Sequence, residues 1–279
     1  MEDALRTVLY GVLPSIGITL LLVGLLGPRW TGLAAGLSAV AAWNLIGQKW
    51  PVWPHELWAG QGDGMQWFTW SLVVFGLTSA AALRREFPAW AYVPPAAAMA
   101  WGQAWFALAV VRKNQKWKDA ETLGWQVAAM LAVLFAWLPV RRALSVRPGK
   151  LMCWTLCAIL VADSALLLLT GSAKQGQLAG ALAAVFGAAA GTALWRQGFA
   201  LDRSAALPFG AAHGGLLVVG FHLSYLPQWS ALLAAAAPLP LWILGPAGGG
   251  AKGTALLVAS LLSVAALLGS AIWLGGGFA

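Results

Sequence analysis

Apolar residues run through this chain in blocks about twenty long, and polar residues collect in the gaps between them. A helix needs about 20 apolar residues to cross roughly 30 Å of hydrocarbon. The blocks predict ten spans, at about 5–26, 30–47, 65–83, 90–111, 123–140, 151–170, 178–195, 205–223, 230–244 and 254–274. The ninth is short and contains Pro238 and Pro240, which predicts a broken or tilted helix and makes nine spans the nearest alternative. Backbone groups freed by proline are re-satisfied only where neighbouring protein or water covers them. Most gaps are tight, such as GSAKQGQ at 171–177 and SYLPQW at 224–229, so consecutive helices pack as antiparallel neighbours. The fold class is all-α: a polytopic helical membrane protein of about ten transmembrane helices, forming one membrane domain over residues 1–279.

Composition sharpens that picture. The chain is 60% hydrophobic and 9% charged, with a mean hydropathy of +0.75. Soluble domains carry about 25% charged residues, so the solvent for most of this surface is lipid. A net charge of +8 would suggest nucleic acid in a soluble protein. Here the basic residues sit between apolar runs and form no face to dock on a phosphate backbone, which excludes nucleic acid as a partner. The first apolar run follows acidic residues and a single Arg6, with no small-x-small cleavage site after it, and is expected to be a retained helix.

Loop charge sets the expected orientation. Odd-numbered connections carry ten Lys and Arg residues, and even-numbered connections with the termini carry seven. The bias places odd loops inside and both termini outside, in a protein of bacterial inner-membrane type. Two four-charge clusters, one at Arg112, Lys113, Lys116 and Lys118 and one at Arg141, Arg142, Arg147 and Lys150, oppose each other across the fifth span. A five-plus-five repeat has no support in the residues, because 13 of the 18 tryptophans precede Lys150.

One gap is unlike the others. Residues 48–70, QKWPVWPHELWAGQGDGMQWFTW, hold His55, Glu56 and Asp63 among Trp50, Trp53, Trp58, Trp67 and Trp70. Tryptophan concentrates at the membrane–water interface, so an aromatic anchor at one level is the plain reading. The sharper reading is an outer vestibule where His55, Glu56 and Asp63 meet a solute over an aromatic wall, continued into the bundle by Trp101 and Trp105. Pro54 suits the first turn of a short surface helix.

Asp163 is the acid set deep inside a span, where a carboxylate costs about 2.5–3.5 kcal/mol. It shares a face with Leu156, Leu160 and Leu167, so its partners on its own helix are Ser164 and backbone carbonyls. Another span must supply the rest, with His213 the first expectation and Gln103 the second. The functional reading is a proton- or cation-coupling site; the structural one is an interhelical hydrogen bond involving Ser164. His213 and His222 are nine residues apart and point to opposite sides of one helix, so they cannot share a metal or haem. Asn44 and Gln126 read as helix–helix hydrogen-bonding groups, and Gly32/Gly36, Gly187/Gly191 and Gly210/Gly214 as small-residue packing pairs.

Other chemistry is not supported. Cys153 and Cys157, at i and i+4 in one apolar run, read as small packing residues. GPAGGGAKGT at 245–254 lacks the GK[ST] step of a phosphate loop, and Ala59 stands where His55-Glu56 would need a second histidine. No cofactor and no metal are expected, and an enzyme ranks last for want of an acid–base or metal constellation. The leading expectation is a small-solute carrier with Asp163 at its centre. Its rival is a non-catalytic scaffold or accessory subunit of a larger membrane complex. A carrier calls for a polar, water-reachable cavity near Asp163; a scaffold calls for a packed interior and a patch for other subunits.

Overall fold

A computed structural model describes residues 7–47, 51–58, 63–82, 89–146, 149–196, 198–244 and 250–276. Every regular element among them is helical. The first helix, α1, joins a π-type turn at Thr7–Val12, an α segment at Leu13–Thr19 and a second π-type turn at Leu20–Leu25. There follow α2 (Thr31–Ile46), the short α3 (Pro54–Trp58), α4 (Gly64–Ala82), α5 (Val93–Ala107) and α6 (Ala109–Asn114). The second half holds α7 (Asp119–Val146), α8 (Lys150–Leu169), α9 (Ala173–Trp195), α10 (Ala206–Leu223), α11 (Gln228–Ala236) and α12 (Gly250–Gly276).

Six segments are long and apolar enough to cross a membrane: Val8–Leu25, Asp119–Val146, Lys150–Leu169, Ala173–Trp195, Arg203–Leu223 and Gly253–Gly275. The protein is thus a multi-pass helical membrane protein. The other four expected spans fall short for visible reasons. Helix α2 has 16 residues. Helix α4 has 19, but Gln66, Thr69 and Ser71 dilute its apolar character. The fourth is interrupted at Leu108, whose backbone leaves the helical region, so α5 stops at 15 residues. The ninth breaks as its prolines suggest: α11 ends at Ala236, and a 3-10 turn at Leu239–Ile243 completes it.

Helix α10 is the hub. It is buried along most of its length and touches α2, α4, α5, α7, α8, α9 and α11. Helices α1 and α12 are peripheral, with most of their surface exposed. Glycine allows the closest crossings. A Cβ on Gly36 would lie 2.5 Å from the Val73 Cα, and one on Gly76 would lie 2.5 Å from the Gly32 carbonyl carbon, so α2 and α4 meet backbone to backbone. A Cβ on Gly214 would meet the Ala132 carbonyl carbon at 2.8 Å, and one on Gly210 the Trp137 nitrogen at 2.9 Å, which brings α10 equally close to α7. The third pair differs: Gly187 only touches Cys157, and nothing lies within 4 Å of a Cβ on Gly191.

The two ends of the bundle are unlike. One gathers Arg29, Arg141, Arg142, Lys150, Arg196 and Arg203, with Asp202 the acid among the described residues there. The other holds α3, α6, Asp119, Glu121 and Lys174. Exposed tryptophans mark both, with Trp90, Trp195 and Trp242 at the first and Trp53, Trp229 and Trp273 at the second, as expected of residues at two membrane–water interfaces.

Candidate functional site

Asp163 lies about two-thirds of the way along α8 on the face made by Leu156, Leu160 and Leu167, and all four side chains are fully buried. Helix α10 crosses that face and presents His213, which is also fully buried. His213 Nδ1 stands 2.6 Å from Asp163 Oδ2. The contact admits two proton arrangements: Nδ1–H donates to a carboxylate, or a protonated carboxyl donates to bare Nδ1. Moving one proton across 2.6 Å converts one into the other. Phe209, one turn earlier on α10, stacks on the imidazole with ring centroids 5.7 Å apart and an angle of 10° between planes. Phe186 meets Phe209 edge-on. These rings hold the imidazole plane in an apolar setting.

Two atoms of the pair are left over. Asp163 Oδ1 and His213 Nε2 have no hydrogen-bond partner among the described residues. Ser164 is not the local partner it was expected to be, because its hydroxyl donates to the Gly176 carbonyl of α9 at 2.7 Å. Gln103, the second expected partner, is buried on α5 beside Gly215, and its Nε2 also lacks a partner among the described residues. Of the polar residues expected at mid-depth, the structure brings Asp163 and His213 into contact and leaves Gln103 on a neighbouring surface.

That surface leads to the Trp-rich segment. A cavity of about 350 Å³ lies between α4 and α5, walled by Trp67, Trp70 and Phe106, with Pro54 at its rim and Gln103 at its inner side. Trp67 stacks on Phe106 with centroids 4.4 Å apart. Trp70 packs against Trp53 and donates its indole N–H to the Val52 carbonyl at 2.8 Å, which ties the segment to α4. The aromatic wall therefore exists, but Trp101 and Trp105 do not line it. Trp101 is half-buried, and exposed Trp105 carries the Arg112 guanidinium 4.0 Å above its ring.

The acids of the segment cap helices instead of facing this cavity. Glu56 Oε2 accepts the Trp53 N–H at 2.7 Å. Asp63 Oδ1 accepts the Gln66 N–H at 2.8 Å while Gln66 Oε1 accepts the Asp63 N–H at 3.0 Å, a reciprocal capping box opening α4. The D-x-x-Q spacing at 63–66 carries that signal in the sequence. His55 is exposed. Trp50 and the Trp58 side chain, expected at one interface level with Trp53 and Trp67, lie outside the described residues.

At the same end, His222 sits among Trp117, Trp125 and Phe221, its ring 4.3 Å from that of Trp125. It is separate from the Asp163 pair. Both cysteines are free thiols, and among the described residues no three His, Cys, Asp or Glu side chains converge as a metal site would need. No protein-family model matches the chain, and no curated protein or solved structure matches it.

Proposed function

We propose that the chain is a ten-pass small-solute carrier whose proton-exchanging element is the Asp163–His213 pair. One observation carries the reading: two ionisable side chains meet at 2.6 Å in the middle of the bundle, each with a second buried polar atom that no described residue satisfies. Burying a polar group without a partner costs about 1–3 kcal/mol. A purely structural contact has no use for two such groups, whereas a proton site needs free valences for water or solute when it opens. The four shorter helices supply the remaining passes, and the loop charges orient both termini outward with the Trp-rich segment on the same side. In this reading His55, Glu56 and Asp63 shape the outer mouth and Gln103 stands on the α5 wall between it and the pair, while Trp101 and Trp105 lie on α5 away from that wall.

A second reading, a scaffold or accessory subunit in a larger membrane complex, draws on the setting of the pair. Both side chains are fully buried, and the cavity beside Gln103 does not reach them. Accessibility separates the two. In a background with Cys153→Ser and Cys157→Ser, single Leu160→Cys and Leu167→Cys variants are reconstituted in liposomes and exposed to a charged, membrane-impermeant thiol reagent. A carrier opens the depth of Asp163 to water, so at least one variant is labelled. Absence of labelling at both positions from either side would overturn the carrier reading in favour of the scaffold.

A further inference from the structure

The basic end of the bundle contains a second candidate site, unrelated to the Asp163 pair. A cavity of about 90 Å³ opens there between the last turn of α4, the first turns of α5 and α10, and α7 one turn before its end. At about 30 Å³ per water in the liquid, it has room for roughly three. Arg141 and Arg203 both line it, with Thr78, Ser79 and Tyr92 as hydroxyl-bearing neighbours.

Arg141 lies against two aromatic rings. Its guanidinium carbon lies 4.1 Å from the centre of the Tyr92 ring and 5.6 Å from that of Trp137. Aromatic faces fix the plane of a guanidinium without neutralising it. Among the described residues no carboxylate forms an ion pair with Arg141 or Arg203. Asp202, the nearest acid in sequence, accepts the Ser204 N–H. Two like charges therefore share one concave site, one of them half-buried, with no described counter-charge. Such a pair repels itself and gains most from an anion between its members. Arg142 and Arg196, by contrast, donate to the carbonyls of Trp242 and Gly24 at 2.8 and 3.0 Å and lie outside the cavity.

We infer that this cavity binds a phosphate-bearing anion, with Arg141 as the fork held by aromatic rings and exposed Arg203 as the second cation. Guanidinium groups match phosphate oxygens two at a time, and Ser79 stands in the same wall to add a hydroxyl donor. The lower walls are apolar, made by Ala96, Met99 and Leu207. The shared chemistry is the phosphate group, carried either by an anionic lipid headgroup or by a soluble ion.

The test uses the full chain purified in detergent and native mass spectrometry, with three ligands: phosphatidylglycerol, phosphatidylcholine and inorganic phosphate. The expected result is selective retention of phosphatidylglycerol or of phosphate, weakened about fivefold by each of Arg141→Gln and Arg203→Gln. Retention of phosphatidylglycerol that phosphate cannot displace identifies a lipid headgroup; displacement identifies a site for the free anion. Arg196→Gln leaves binding unchanged, since it removes a charge at the same end but outside the cavity. Should Arg141→Gln fail to fold, exposed Arg203→Gln carries the same comparison. Equal weakening by Arg196→Gln, or retention of phosphatidylcholine as tightly as phosphatidylglycerol, would overturn the inference, as would no retention of either anion.

Discussion

Replacing His213 with leucine strands Asp163 in the middle of the bundle. Leucine approximates the volume of the imidazole and keeps the contact with Phe209, so packing changes little. The carboxyl loses the 2.6 Å contact to Nδ1 and then has no partner among the described residues on either oxygen. The cost is about 1–3 kcal/mol for a neutral carboxyl and about 3–5 kcal/mol for one forced to stay ionised. Asp163→Leu imposes the converse penalty on the imidazole. The double variant removes every polar atom of the pair, including the two that lack partners among the described residues. It is therefore expected within about 1 kcal/mol of the parent, giving a coupling of at least about 1 kcal/mol across the cycle. Reversible unfolding of the four proteins by titration with a denaturing detergent in mixed micelles measures this. A double variant that loses the sum of the two single losses would refute the reasoning, because the two side chains would then be energetically independent.

Glycine substitutions are expected to split by position. Gly36→Ala puts a methyl 2.5 Å from the Val73 Cα and should cost about 1–3 kcal/mol of thermal stability, while Gly191→Ala, with open space around it, should be neutral or raise stability by up to about 1 kcal/mol. Ser164→Ala loses the 2.7 Å bond to the Gly176 carbonyl, and the same unfolding assay should show a drop of only about 0.6 kcal/mol, typical of interhelical bonds in membranes. Trp70→Phe removes the indole N–H that holds the Val52 carbonyl, so amide hydrogen exchange over Trp53–Leu57 should quicken while that of α8 stays unchanged. Asp63→Ala removes one arm of the capping box and should cost about 1 kcal/mol, with faster exchange confined to the first turn of α4.

The sequence reveals the elements better than the contacts between them. Hydropathy locates the six long apolar helices, and Pro238 marks the break in the ninth expected span because a proline removes a donor and crowds the preceding turn. No residue announces the interruption at Leu108, which arises where α5 turns into α6. Asp163 and His213 are legible as a pair because each is a costly group at mid-depth, and few other side chains at that depth could answer it. The partner of Ser164 is not legible, since a hydroxyl is satisfied by any nearby carbonyl and the choice depends on how α9 lies against α8. The aromatic wall is half legible: Trp67 and Trp70 come from the conspicuous segment, but Phe106 joins them from α5, where the tryptophans at 101 and 105 are the more conspicuous aromatic residues. The Arg141–Arg203 cavity escapes a linear reading altogether, because its walls come from four helices and its basic residues look like ordinary loop charges.

Helices of very different length stand side by side in this bundle. Helix α7 has 28 residues, about 42 Å at 1.5 Å per residue, and packs against α5, whose 15 residues reach about 22 Å. If both cross the bilayer, as the ten-pass reading has it, one exceeds a hydrocarbon slab of roughly 30 Å and the other falls short of it, and no single upright pose suits both. Tilt can absorb the excess of α7, and the shortfall of α5 is met by α6 beyond the break at Leu108, by thinned lipid, or by Trp105 and Arg112 reaching the headgroups. In that arrangement the bundle would deform its annulus of lipid unevenly around its circumference. Acyl-chain length then becomes a control variable for this protein: thinner bilayers ease the α5 side, thicker ones load it, and stability should follow membrane thickness without any change in sequence.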